Sequence, residues 1–189
     1  MAARGSVIAL LLASAAAETA WAQWPEVPPP AYQLAGHTAG TPSELLYAVA
    51  KTESNAKLRI GYFPWPWTLN VKGKAMYFST REEACRAALE GIQKHGERGV
   101  DIGLTQQNWG YVGKEWFSHP CDALDPYANL SAASKQLRRY FDTTGDWLDA
   151  AGKYHRPAGG TPARRYRAQV RSRLGQICAQ SCSFPISQH

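Results

Sequence analysis

At 189 residues with a formal charge of +6, the chain has the size of one domain built around one hydrophobic core. Beyond residues 1–22 no apolar run approaches spanning length, which excludes stable membrane insertion. On an exported chain, a positive balance suits a polyanionic surface or cell-wall polymer better than a nucleic acid.

The opening residues stand apart from the fold. Arg4 precedes an apolar run from Val7 to Ala17, and Ala20, Trp21 and Ala22 close the stretch ahead of Gln23. That succession of basic, apolar and small-residue segments is the pattern of a secretory signal peptide over residues 1–22, cleaved near Ala22 to leave an exported, periplasmic chain. A buried helix or membrane anchor is the competing reading, but the run is about half of the ~20 residues a crossing needs, and Glu18 interrupts its end. Cys85, Cys121, Cys178 and Cys182 all lie in the exported part. Four cysteines in an oxidising compartment favour two disulfides, in any of three pairings. Cys178 and Cys182 alternatively resemble half of a zinc site, although no C-x-x-C pair exists and His119 is the only imidazole near a cysteine. No metal and no cofactor is expected.

Residues 23–40, with Pro25, Pro28, Pro29, Pro30, Gly36 and Gly40, read as an extended Pro/Gly-rich leader to a domain over residues 41–177, followed by a tail over 178–189. Thr41, Pro42, Ser43 and Glu44 form a capping box, and Leu45, Leu46, Ala48 and Val49 continue a helix to about Ser54. Prolines exclude a helix across Phe63 to Trp67, and the alternation around Val71 and Tyr77 predicts a small hairpin. Ser79 to Gln93 is a second helix, capped by Ser79 or Thr80 against Glu82 or Glu83. Asp101 to Trp109 is glycine-rich and irregular. Helical periodicity returns at about 128–141 and 144–154, and a last helix starts near Thr161 and Pro162. Its apolar positions are Tyr166, Val170 and Leu174; its polar face carries Arg164, Arg165, Arg167, Arg171 and Arg173. The predicted fold is therefore mostly α, of the α+β class, in a single domain with one small β insertion.

Glu53 is the first candidate for chemistry. A carboxylate at the end of an apolar helix is set against a core; desolvation and the C-terminal end of the helix dipole both raise its pKa, so it can hold a proton near neutral pH and donate it. The alternative is a surface glutamate paired with Lys57 at i+4. Seven tryptophans and nine tyrosines include Trp65, Trp67, Trp109, Tyr111 and Trp116 in loop-like segments, where flat rings with a polar edge suit sugar faces and equally suit a core. The amides of Gln106, Gln107 and Asn108 can bind acetamido and hydroxyl groups or simply cap a glycine-rich turn. Asp101 is the nearest second carboxylate in this context; its distance from Glu53 decides whether it joins a two-carboxylate site.

Glu53-Ser54, then Gly103-Leu104-Thr105-Gln106-Gln107-Asn108, then Tyr154 in the segment from Ala150 to His155, occur in an order and spacing that resembles the soluble lytic transglycosylase domain of the lysozyme superfamily. The similarity covers about residues 41 to 175 and is nearest to small exported members linked to conjugation and secretion systems. It implies a lysozyme-like fold, with Glu53 as the catalytic acid and base. Ser54, Gln106, Asn108 and Tyr154 would shape the substrate site, joined by Trp65, Trp67 and Trp109 on the aromatic reading. Two departures are Thr105 for the family's methionine and His155 for its asparagine. The implied activity is cleavage of the β-1,4 bond between N-acetylmuramic acid and N-acetylglucosamine of peptidoglycan, closing a 1,6-anhydro ring. The implied partners are glycan strands and a conjugative or secretion apparatus. A hydrolytic muramidase and a non-catalytic wall-binding assembly protein are the alternatives.

Overall fold

The computed structural model describes residues 26–59, 61–178 and 182–186; the expected signal peptide lies outside them. Mostly helical, with small antiparallel sheets, the chain places α1 (Pro30–Ala39) and α2 (Ser43–Glu53) ahead of β1 (Asn55–Leu58) and β2 (Gly61–Pro64). Next come β3 (Thr68–Val71), β4 (Lys74–Tyr77), α3 (Arg81–His95), β5 (Val100–Ile102) and β6 (Gln107–Asn108). A short α4 (Lys114–Trp116), α5 (Pro126–Thr144), α6 (Trp147–His155) and α7 (Gly160–Cys178) complete it. Among the described residues no helix is long and apolar enough to cross a membrane.

From Pro30 to Ala39 the expected leader is helical and not extended. Pro30 sits at the start of α1, where its fixed φ favours a helix and its missing N–H costs nothing. Gly40 closes α1 in the left-handed conformation at φ 67°. Gly36 is obligatory in this setting, since a Cβ there would stand 2.5 Å from the Thr41 carbonyl oxygen. The capping box expected at Thr41 does not form either. Thr41 instead donates its hydroxyl to the Ser134 carbonyl at 2.8 Å, tying the α1–α2 corner to α5. The box at Thr80 and Glu83 does form and starts α3.

The β content exceeds the expected hairpin. β3 and β4 turn through Lys72 and Gly73, both with positive φ, as a tight two-residue hairpin loop requires. The segment expected to be irregular supplies β5 and β6, giving a four-stranded order β4-β3-β5-β6, while β1 and β2 form a second, two-stranded sheet. Alternation over three or two residues is too brief to register as a strand in sequence.

Two apolar clusters result. In one, Leu45, Leu46 and Val49 of α2 pack with Leu130 and Leu137 of α5, Leu148 of α6, and Val170 and Leu174 of α7. In the other, Leu69, Val100 and Ile102 of the sheet pack with Ala84 and Ala88 of α3 and with Trp109, Phe117 and Leu124. Cys85–Cys121 binds α3 to the turn before α5, and Cys178–Cys182 closes the end of α7, so no thiol is left for the alternative zinc site. Removing Cys85–Cys121 as an alanine pair should lower stability to urea by about 3–4 kcal/mol, because it closes the longer loop. Removing Cys178–Cys182 should cost about 2 kcal/mol, and the reverse order would contradict this assignment.

Candidate functional site

Between the helices and the four-stranded sheet lies a cleft of about 740 Å³. Glu53 reaches it from the last residue of α2, after a helix in which every residue from Leu45 to Lys51 is buried. Lys57 stands exposed on β1, because the chain leaves the helix at Ser54 and the i+4 relation is lost. The glutamate side chain keeps only 17% of its surface open. Burial raises its pKa from the ordinary 4.5 to about 7. The Asp101 carboxylate pushes the same way, while the Tyr166 hydroxyl opposes. Tyr166 lies close enough to favour the charged form, yet its hydroxyl falls outside hydrogen-bond geometry and has no full partner.

Strand alternation supplies the facing wall. Val100 and Ile102 turn into the core, so Asp101 between them faces the cleft. Its register partners on the adjacent strands, Asn70 and Asn108, line the same cleft. Burial raises the Asp101 pKa, and a 2.8 Å hydrogen bond from Asn108 Nδ2 restrains that rise. Asn108 is otherwise committed, accepting from the amides of Gly110 and Tyr111 and donating to the Arg98 carbonyl. It therefore sets Asp101 and the following turn.

Gln106 also lines the cleft, in the left-handed region at φ 49°. Its amide nitrogen donates to the carbonyls of Thr68 and Gly103, which holds a conformation that a non-glycine residue rarely adopts. Tyr154 donates to the Thr105 carbonyl at 2.7 Å and accepts from Gln107 Nε2 at 3.0 Å. Gln107 accepts in turn from Gln136, and the Thr105 hydroxyl donates to Asn129. Gly103 permits this close approach: a Cβ would lie 2.4 Å from Asn129 Nδ2. The 103–107 turn is thus fixed to α5 and α6 by buried amides and hydroxyls.

Of the expected site residues, the structure brings Glu53, Gln106, Asn108 and Tyr154 to the cleft, with Asp101. Ser54 is fully buried and donates to the Leu104 carbonyl at 2.7 Å, so it fastens the end of α2 to the 103–107 turn. Trp109 belongs to the sheet-side core. Trp65 and Trp67 meet edge to face in the β2–β3 connection, with Trp65 donating to the Phe78 carbonyl, away from the cleft lining. Gln107, Gln136 and Asn129 form a set that no contiguous motif announces. Asn129 and Gln136 lie seven residues apart, two turns along the α5 face that carries Leu130, Ala133 and Leu137, and that polar interruption of an apolar stripe was the available signal. Among the described residues no group of three His, Cys, Asp or Glu side chains is arranged to hold a metal ion.

Compared with protein-family models, curated proteins and solved structures, the chain matches none of them.

A carboxyl with a raised folded pKa binds its proton more tightly in the folded chain. Its stabilising contribution is complete below about pH 4.5 and is lost as the pH rises through about 7. Glu53→Gln carries no such charge. In urea titrations the variant should gain on wild type by about 1–3 kcal/mol between pH 4.5 and about 8, a range discounted for the solvent-facing part of the side chain. A constant difference across that range would contradict the raised pKa.

Proposed function

We propose that the chain is an exported peptidoglycan lytic transglycosylase of lysozyme-like fold, with Glu53 as its single acid and base. The observation that carries this reading is a carboxyl buried on the wall of a cleft large enough for linked sugar rings, where desolvation pushes its pKa up to about 7. Protonated Glu53 would donate to the glycosidic oxygen between N-acetylmuramic acid and N-acetylglucosamine as positive charge develops at C1, with the neighbouring acetamido oxygen stabilising that centre. Ionised Glu53 would then take the proton of the muramic acid C6 hydroxyl as its oxygen bonds to C1. The proton lost in the first step is regained in the second.

Side chains around the acid support these steps in distinct ways. Asp101 favours the protonated form of Glu53 before cleavage and places a negative charge on the cleft wall. The hydroxyl proton of Tyr154 is taken by the Thr105 carbonyl, so this ring acts as a fixed wall and not as a second proton donor. Two disulfides and the net positive charge suit a chain working on an anionic wall polymer outside the cytoplasm. Association with a conjugative or secretion apparatus remains part of the proposal only through the sequence resemblance.

Asp101 also favours a second reading. A carboxylate across the cleft from an acid can activate water, making the chain a hydrolytic muramidase. Digestion of purified peptidoglycan with mass analysis of the products separates the two: 1,6-anhydro-muropeptides are expected, and reducing ends alone would overturn the transglycosylase reading. Glu53→Gln should slow product formation by about 10²–10⁴-fold, whereas an unchanged rate would remove Glu53 from the chemistry.

A further inference from the structure

His155 ends α6 on the wall of the cleft, with Nδ1 4.0 Å from Glu53 Oε1. Its ring lies flat on that of Tyr166, the centroids 4.4 Å apart and the planes within 4° of parallel. Tyr166 is buried in α7 and fixes one face of the imidazole. The histidine side chain keeps 44% of its surface open, against 17% for Glu53, so water reaches the imidazole far more readily than the carboxyl. Burial and the adjacent Arg156 hold its pKa below the ordinary value, which leaves the resting ring neutral with one N–H to place. At 4.0 Å the pair is not hydrogen-bonded, and closing by about 1 Å would bring it to hydrogen-bond length.

From this geometry we infer that His155 is a positioning residue for Glu53: braced on Tyr166, the imidazole turns Nδ1–H toward the carboxylate formed when Glu53 gives up its proton and holds that oxygen in place until the proton returns. The inference rests on Glu53 being the acid of the proposed reaction, but the 4.0 Å approach of the two side chains belongs to the resting protein and can be tested there. Other groups around the pair act on it in different ways. Asp101 on β5 opposes ionisation of Glu53. Burial keeps Tyr154 and Tyr166 protonated; the Tyr154 hydroxyl is committed to the Thr105 carbonyl, while that of Tyr166 favours ionised Glu53. Arg156 acts on His155 and disfavours its charged form. His155 joins the Tyr166 hydroxyl as a donor near Glu53, and of the two it alone can add a positive charge of its own.

Coupling of this kind is reciprocal. In the full chain, the His155 ring protons followed by NMR should titrate in two steps in wild type. In Glu53→Gln they should titrate in one step with the midpoint lowered by about half a unit, as expected for a partly solvated pair. An unchanged midpoint in the folded variant would overturn the inference. This readout needs no activity, so a protein that cleaved no glycan yet showed the shift would defeat the proposed reaction and support the coupling. In wall-clearing assays His155→Phe, which keeps a ring on Tyr166 but no donor, should lower turnover about tenfold with little change in KM. His155→Asn, which keeps a donor, should recover most of that loss. Equal turnover in the two variants would assign His155 to packing alone.

Discussion

Water has little access to the Glu53 carboxyl, and that scarcity governs what the cleft can do. A solvated glutamate is fully ionised at neutral pH and has no proton to give. Here the charged form has lost most of its hydration, a second carboxylate is close by, and the helix end supplies negative partial charge in place of compensation. Tyr166 offsets part of this, and the balance settles near neutrality. That is the range in which one group can donate a proton and then accept one.

Dryness at that point depends on both sides of the molecule. α2 delivers Glu53 from an apolar helix that packs on α5 and α7, while the sheet delivers Asp101 from a strand whose flanking residues are core. Ser54 joins these halves through Leu104, and the amides of Gln107, Asn129 and Gln136 fasten the intervening turn to the helices. Burying so many polar groups is tolerable because they are matched with one another; a single missing partner would strand a donor or acceptor in the interior. The same network occupies the side chains of Gln107 and Tyr154, and Asn108 is held separately by Asp101 and the following turn. These residues therefore act mainly by holding the cleft in shape, and Glu53 and Asp101 supply its charge.

Helices with long apolar stripes were legible in sequence: α3, α5, α6 and α7 lie close to where periodicity and capping place them. α1 was hidden by its prolines, which signal extended chain by composition but start a helix when the last of them falls at its first position. β5 and β6 were hidden because strands this short derive their conformation from pairing with β3 and each other. For the site, the placement of Glu53 in the cleft was legible in part, because a carboxylate closing an apolar helix conflicts with burial and such conflicts stand out locally. The role of Trp109 is not legible in sequence for the opposite reason. Trp109 satisfies an ordinary core requirement, and nothing in its neighbours along the chain distinguishes a ring that packs inward from one that faces a cleft. Gln136 and Tyr166 lie far along the chain from Glu53, so their convergence became visible only in three dimensions.

Because the proposed chemistry turns on one proton, the most direct measurement is the titration of the Glu53 side-chain carbon by carbon-detected NMR in the folded protein, with Glu53→Gln identifying its resonance. A midpoint at about 7 is the predicted result. A midpoint near the ordinary 4.5 would mean that water reaches the carboxyl freely and that it holds no proton to donate at neutral pH.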